Sequence, residues 1–186
     1  SMETYEKVCI MEAQAIPEVE KLIAKYKPKT YCEIGVHNGL TAAGLIMYML
    51  KFNPDIHAEL YDAFEPVDWR KEHNGKSDAT EEHYKKCIKR MEGIRLQNLE
   101  FKYKIVKGYT QDTLKNKKYD FAYIDGGHSY DTVKHDYNKV LRSKIILFDD
   151  YNLTNVKRAV DEIGKGYRLP YETPNGKKKK WVIIND

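Results

Sequence analysis

Apolar positions along this chain follow two alternating habits, short continuous or every-other-residue runs and longer stretches with helical spacing. Val19, Leu22, Ile23 and Tyr26 fall at i, i+3, i+4 and i+7 behind Pro17, which predicts a helix that Lys27-Pro28 stops. "TYCEI" (30–34) reads as a strand ending at Gly35, and Thr41 to Phe52 is apolar nearly all round, the mark of a buried helix. Further strands are predicted over 57–64, 101–108, 119–125 and 144–151. The last of these is apolar enough for a central position. Between them, one helix carries Tyr84, Cys87, Ile88 and Met91 on a face, and another carries Tyr130, Val133, Tyr137, Val140 and Leu141. Val156, Ala159, Val160 and Ile163 mark a last helix, with Thr154 as N-cap and Gly164 beyond its end.

The chain then changes habit. "YRLPYET", a "PNGK" turn and "KKWVIIND" predict a hairpin, because Asn-Gly favours the turn that joins two antiparallel strands. Strands alternating with helices predict an α/β fold with a mostly parallel sheet, closed here by an antiparallel pair. With no internal repeat and no linker, residues 1–186 read as one Rossmann-like domain, Ser1 ahead of Met2 being a residue left by tag removal.

Composition narrows the class. With 41% hydrophobic and 12% aromatic residues, the chain can build a core and is not a disordered one. The longest apolar run, "LIMYML" (45–50), is too short to span a bilayer, and no signal-peptide pattern opens the sequence. Cys9, Cys32 and Cys87 are odd in number and lack metal-ligand spacing, which points to the reducing cytoplasm. A net charge of +4 does not call for a nucleic-acid partner, and the basic run "GKKKK" (176–180) is expected to be a solvated hairpin tip.

Candidate chemistry gathers at the strand ends, where open parallel sheets bind ligands. Glu33-Ile34-Gly35, Asp62, Gly108, Asp125 and Asp149-Asp150 all fall there. In "EIGVHNG" (33–39), His37 fills the place where a dinucleotide fingerprint needs its middle glycine, so the turn suits a nucleoside without a pyrophosphate and disfavours a nicotinamide-dependent oxidoreductase. The alternative is a glycine-bearing turn with no ligand. Asp62 lies where an acidic residue of such folds takes ribose hydroxyls.

Strands four and five are expected as neighbours about 4.8 Å apart, crowding Asp125 against Asp149 and Asp150. Two carboxylates roughly 4 Å apart repel by about 4 kcal/mol at an effective dielectric near 20, so a proton, a lysine or a cation must offset them. Oxygen ligands without cysteine suit Mg²⁺. Neighbouring strand residues point to opposite faces, so one of Asp149 and Asp150 could instead cap the turn. His128, at a glycine-rich turn, could act as a base, bind substrate or pack as a neutral side chain. His57, His73, His83 and His135 show no partner pattern and default to surface or filler roles.

From about Tyr31 to Asp186, these motifs in this order resemble class I S-adenosylmethionine-dependent methyltransferases, and "KGYTQDTL", "IDGGHSYDTVKHD" and "FDDY" resemble the macrocin-type sugar O-methyltransferases among them. The resemblance implies a doubly wound, mostly parallel seven-stranded sheet of order 3-2-1-4-5-7-6, its last strand antiparallel, with helices on both faces. It implies Glu33, Gly35, His37, Asn38 and Gly39 around the methionine part of S-adenosylmethionine, Asp62 with Ala63 at the ribose, and Gly108 and Tyr109 beside the adenine. Asp125 would border the cofactor and, with Asp149 and Asp150, bind Mg²⁺ beside the acceptor hydroxyl, Asp125 or His128 receiving its proton. The polar stretch 65–78, with Trp69, Arg70 and His73, is the expected cover of the site. The expected function is O-methylation of a small hydroxylated molecule such as a sugar. A non-catalytic nucleoside-binding module would need Glu33, Gly35 and Asp62 but not the three aspartates. A nucleic-acid methyltransferase would want a broader basic face and a base-stacking motif, and the sequence has neither.

Overall fold

A computed structural model describes residues 17–65, 79–170 and 180–186. In chain order the elements are α1 (Pro17–Tyr26), β1 (Thr30–Ile34), α2 (Leu40–Met49), β2 (His57–Asp62), α3 (Glu81–Gln97), β3 (Lys102–Lys107), the single turn α4 (Thr110–Thr113), β4 (Phe121–Ile124), α5 (Tyr130–Val140), β5 (Ile145–Phe148), α6 (Thr154–Ile163), β6 (Tyr167–Arg168) and β7 (Trp181–Ile184). The strands form one sheet of order β3-β2-β1-β4-β5-β7-β6. β1 to β5 run parallel, and β7 is antiparallel to both β5 and β6. This is the expected class I methyltransferase topology.

Why each strand lies where it does follows from its side chains. All four residues of β4 and of β5 are buried, as continuous apolar runs covered on both faces should be. β3 is one edge, and Lys102, Lys104 and Lys107 along it discourage pairing with another chain. One core packs α1, α2 and α3 on one sheet face, through Val19, Ile23, Ile46, Met49, Cys87 and Met91. The other packs α5 and α6 on the opposite face, through Val133, Val140, Val156 and Val160.

Some element details differ from expectation. α2 ends at Met49, and residues 50–52 close it with turn hydrogen bonds. Ile88 sits at the rim of its helix, the buried stripe running Cys87, Met91 and Ile94. Thr154 is the first helical residue rather than the cap, because the carbonyl that starts α6 belongs to Leu153. Gly164 does close α6, with φ at 72°. The "PNGK" turn lies outside the described residues, although the two strands that it would join are paired. No described helix is long and apolar enough to cross a membrane.

Candidate active site

The turns that follow β1, β2, β3 and β4 surround a cavity of about 550 Å³. Their closeness is enforced at Gly35. Its φ is +85°, and a Cβ there would lie 1.9 Å from the carbonyl oxygen of Asp125. Only glycine lets the β1 turn lie against the β4 turn this closely. Gly39 serves packing instead: a Cβ would come within 2.9 Å of the Cys87 sulfur, so the glycine lets α2 meet α3.

Asp62 braces the same corner. Its Oδ2 accepts the His37 backbone N–H at 2.8 Å and its Oδ1 that of Phe64 at 2.9 Å. Each carboxylate oxygen has a second lone pair, so Asp62 can still accept from a ligand. His37, at φ 53°, packs its ring tilted against His83 with centroids 4.1 Å apart. His83, expected as filler, also closes the capping box of α3 with Thr80.

Gly35, His37, Asp62, Ala63, Gly108, Tyr109, Asp125 and His128 all line the cavity. Glu33, Asn38 and Gly39 do not. Glu33 is 1% exposed behind the turn and accepts the Tyr31 hydroxyl. Asn38 caps toward the Leu40 N–H and gives its carbonyl to Arg90. Trp69, Arg70 and His73 lie outside the described residues.

At one end of the cavity the carboxylates crowd as expected, since Ile124 pairs with Phe148 and the next residues are Asp125 and Asp149. Burial, then the charges of Asp149 and Asp150, push the Asp125 carboxyl well above its ordinary range. A histidine and a lysine face the other two carboxylates. His128 Nε2 lies 2.8 Å from Asp150 Oδ2. Lys180 Nζ lies 3.2 Å from Asp149 Oδ1 and donates to the Tyr123 hydroxyl at 2.7 Å. Lys180 therefore corrects the expectation of a solvated basic run at that run's last residue: it is buried, because β7 runs beside β5.

Asp125, His128 and Asp150 each bring one ligand atom within 4.8 Å of the others, a donor set of two oxygens and one nitrogen that one divalent ion can bridge. Asp149 is not in that group; it faces Lys180.

Thr110, Gln111, Thr132 and Asp136 complete the wall, the last two against Gly127 and Gly126 of the β4 turn. Sequence reasoning missed these and Lys180. For Asp136 a signal existed, a carboxylate in the same helical stripe as Val133 and Val140.

A family model described as a methyltransferase domain matches residues 32–151. Among solved structures, the O-methyltransferase from Bacillus cereus in complex with SAH superposes with a TM-score of 0.67 at 14% identity, covering 98% of this chain and 90% of that one. CalS11, a TDP-rhamnose 3'-O-methyltransferase of calicheamicin biosynthesis, gives 0.63 at 13%, covering 89% and 77%. The O-methyltransferase NovP gives 0.61 at 16%, covering 95% and 79%. At these identities the likeness is one of fold. No curated protein matches the sequence.

Proposed function

We propose, for a chain that belongs to the methyltransferase-domain family, that it moves the methyl group of S-adenosylmethionine to a hydroxyl of a small molecule, a sugar or related compound. The observation that carries this reading is a cavity of about 550 Å³ with Asp62, Asp125 and His128 in its wall and Asp150 paired to His128 beside it. SAH bound to the Bacillus cereus fold relative supports the cofactor, and the sugar acceptor of CalS11 supports the substrate class.

Bound S-adenosylmethionine supplies an electrophilic methyl on a sulfonium. Asp62 accepts the ribose hydroxyls, while the turn at Gly35 and His37 borders the methionine part, with Glu33 supporting it from behind. Gly108 and Tyr109 flank the base. A hydroxyl is a weak nucleophile at neutral pH, so its proton must be taken as the methyl moves. His128 is the better placed acceptor, because the Asp150 carboxylate orients its ring and stabilises the imidazolium. Asp125 is the second candidate. A divalent ion such as Mg²⁺ held by Asp125 and Asp150, with His128 beside them, would polarise the hydroxyl. Positioning contributes the remainder by aligning oxygen and methyl. Two free, buried cysteines, Cys32 and Cys87, support a reducing, cytoplasmic setting for what we take to be one domain, residues 1–186.

Calorimetric titration with S-adenosylmethionine, once with Mg²⁺ and once with EDTA, tests the reading. Saturable binding followed by methyl transfer to hydroxylated acceptors is the expected result, with the metal arm deciding whether an ion takes part. Absence of binding in both conditions overturns it.

A further inference from the structure

Among the described residues Lys180 is the only buried lysine, and the steps above give it no task. The antiparallel pairing that sets Phe148 opposite Trp181 sets the next residues, Asp149 and Lys180, opposite each other. On its far side the Lys180 carbonyl accepts the Leu169 N–H at 2.9 Å, which fixes the backbone. Its Nζ lies 3.2 Å from Asp149 Oδ1 and donates at 2.7 Å to the buried Tyr123 hydroxyl. A buried ion pair contributes little to stability beside a well-packed apolar pair of the same volume, so stability alone does not account for this one.

Its position beside the carboxylate group does. By sequence Asp149 and Asp150 are equal candidates for an ion ligand, yet the ligand atoms that converge belong to Asp125, His128 and Asp150. The charge of Asp149 acts on Asp125 more strongly than that of Asp150, and the charge of Lys180 opposes both. Asp149 thus stands beside the same centre with its carboxylate turned to an ammonium. We propose that Lys180 is a built-in cation that withdraws Asp149 from the ligand set and keeps the affinity of the Asp125, His128 and Asp150 group for a divalent ion low. It acts through Asp149 and through its own charge, as a positioning residue. An ion held by so few protein atoms keeps positions open for the oxygens of an acceptor. The inference rests on the divalent-ion part of the reading above and not on S-adenosylmethionine.

The test is calorimetric titration of the whole chain with Mn²⁺ in the absence of cofactor. Lys180→Met is expected to bind the ion about 10- to 100-fold more tightly than wild type, because a like charge leaves and a carboxylate is released. The gain should need Asp149, so Lys180→Met combined with Asp149→Asn should return to within about threefold of wild type. A merely structural lysine predicts the opposite sign, since a loosened site holds an ion less well. Equal or weaker binding by Lys180→Met therefore overturns the proposal, and so does a gain that survives Asp149→Asn. Wild-type crystals soaked in Mn²⁺ give a check that needs no variant to fold. An ion on Asp125, His128 and Asp150 with Lys180 still on Asp149 is the expected result, and an ion on Asp149 with Lys180 displaced overturns it. Wild type and variant that both bind no Mn²⁺ overturn the divalent-ion reading, and this inference falls with it.

Discussion

Lys180 ends a run of four lysines and is nevertheless 9% exposed at its side chain, against 10% for its partner Asp149. Desolvating a pair like this is unfavourable, yet removing one member is worse, because the other stays behind as an uncompensated charge. Lys180→Met is therefore expected to lower the unfolding free energy by about 3 kcal/mol in urea, and adding Asp149→Asn should restore part of it. A single variant as stable as wild type would mean that Lys180 does not neutralise Asp149. His128 predicts a different pattern. If it takes the acceptor proton, His128→Asn should slow methyl transfer by about 100-fold or more while affinity for S-adenosylhomocysteine stays within about threefold. Equal losses in rate and affinity would make His128 a ligand-binding residue instead. The carboxylates at this end were legible in the sequence because each ends an apolar strand. Their counter-charge was not, since the residue that meets Asp149 is brought there only by the antiparallel return of β7 beside β5. Asp136 was legible in principle, but reading its helix for apolar periodicity passes over the one charge in the stripe.

The strands were more legible than their ends. Residues 30–34 match β1, whereas 101–108, 119–125 and 144–151 each overrun the observed β3, β4 and β5. The excess includes Phe101, Tyr119 and Tyr151, all buried and all beyond the paired ladder. Apolar character reports burial, not backbone pairing, so it overruns wherever a flanking side chain folds back onto the core. α4 was invisible for a related reason: four residues carry no helical period. Tyr119, one of the overrun residues, belongs to a polar cluster beneath β2. Its hydroxyl donates to Glu59 at 2.5 Å, the Tyr61 hydroxyl does so at 3.3 Å, and Lys117 adds an ion pair. Burial pushes Glu59 up, but the hydrogen bonds from Lys117, Tyr119 and Tyr61 outweigh it and hold the carboxyl below its ordinary range. A depressed carboxylate stabilises the fold above its unfolded pKa, about 4.3, and loses that contribution as pH falls through the folded value. Wild type should thus be more stable than Glu59→Gln at neutral pH, with the gap closing as urea unfolding is repeated below about pH 4. A gap that stays constant down to that range would show that the charge on Glu59 does not matter to folding.

Four separate strand ends meet in one cavity, and this has a consequence for the molecule as a unit. The turns after β1, β2, β3 and β4 meet through the Gly35 and Val36 N–H bonds to the Tyr61 carbonyl, the Gly108 N–H bond to the Asp62 carbonyl, the Asp125 N–H bond to the Ile34 carbonyl and the His37 N–H bond to Asp62 Oδ2. A ligand that spans the cavity adds further ties among all four of these segments. Any ligand bound by the native state alone stabilises it by about 2.7 kcal/mol at a hundredfold excess over Kd. For a domain of this length, that amounts to roughly 5–10 °C in Tm. S-adenosylhomocysteine should produce such a rise, and hydrogen exchange should slow at 35–39, 62–65, 108–111 and 125–128 together. The turns at the opposite edge of the sheet, around 98–101 and 141–144, should change little beyond what global stabilisation brings. Protection confined to one of the four turns would mean that the ligand occupies only part of the cavity. In that case the assignment of methionine, ribose and base to successive strand ends would have to be redrawn. Slowed exchange at all four would instead establish that one molecule bridges them, as the common wall from Asp62 to Asp136 requires.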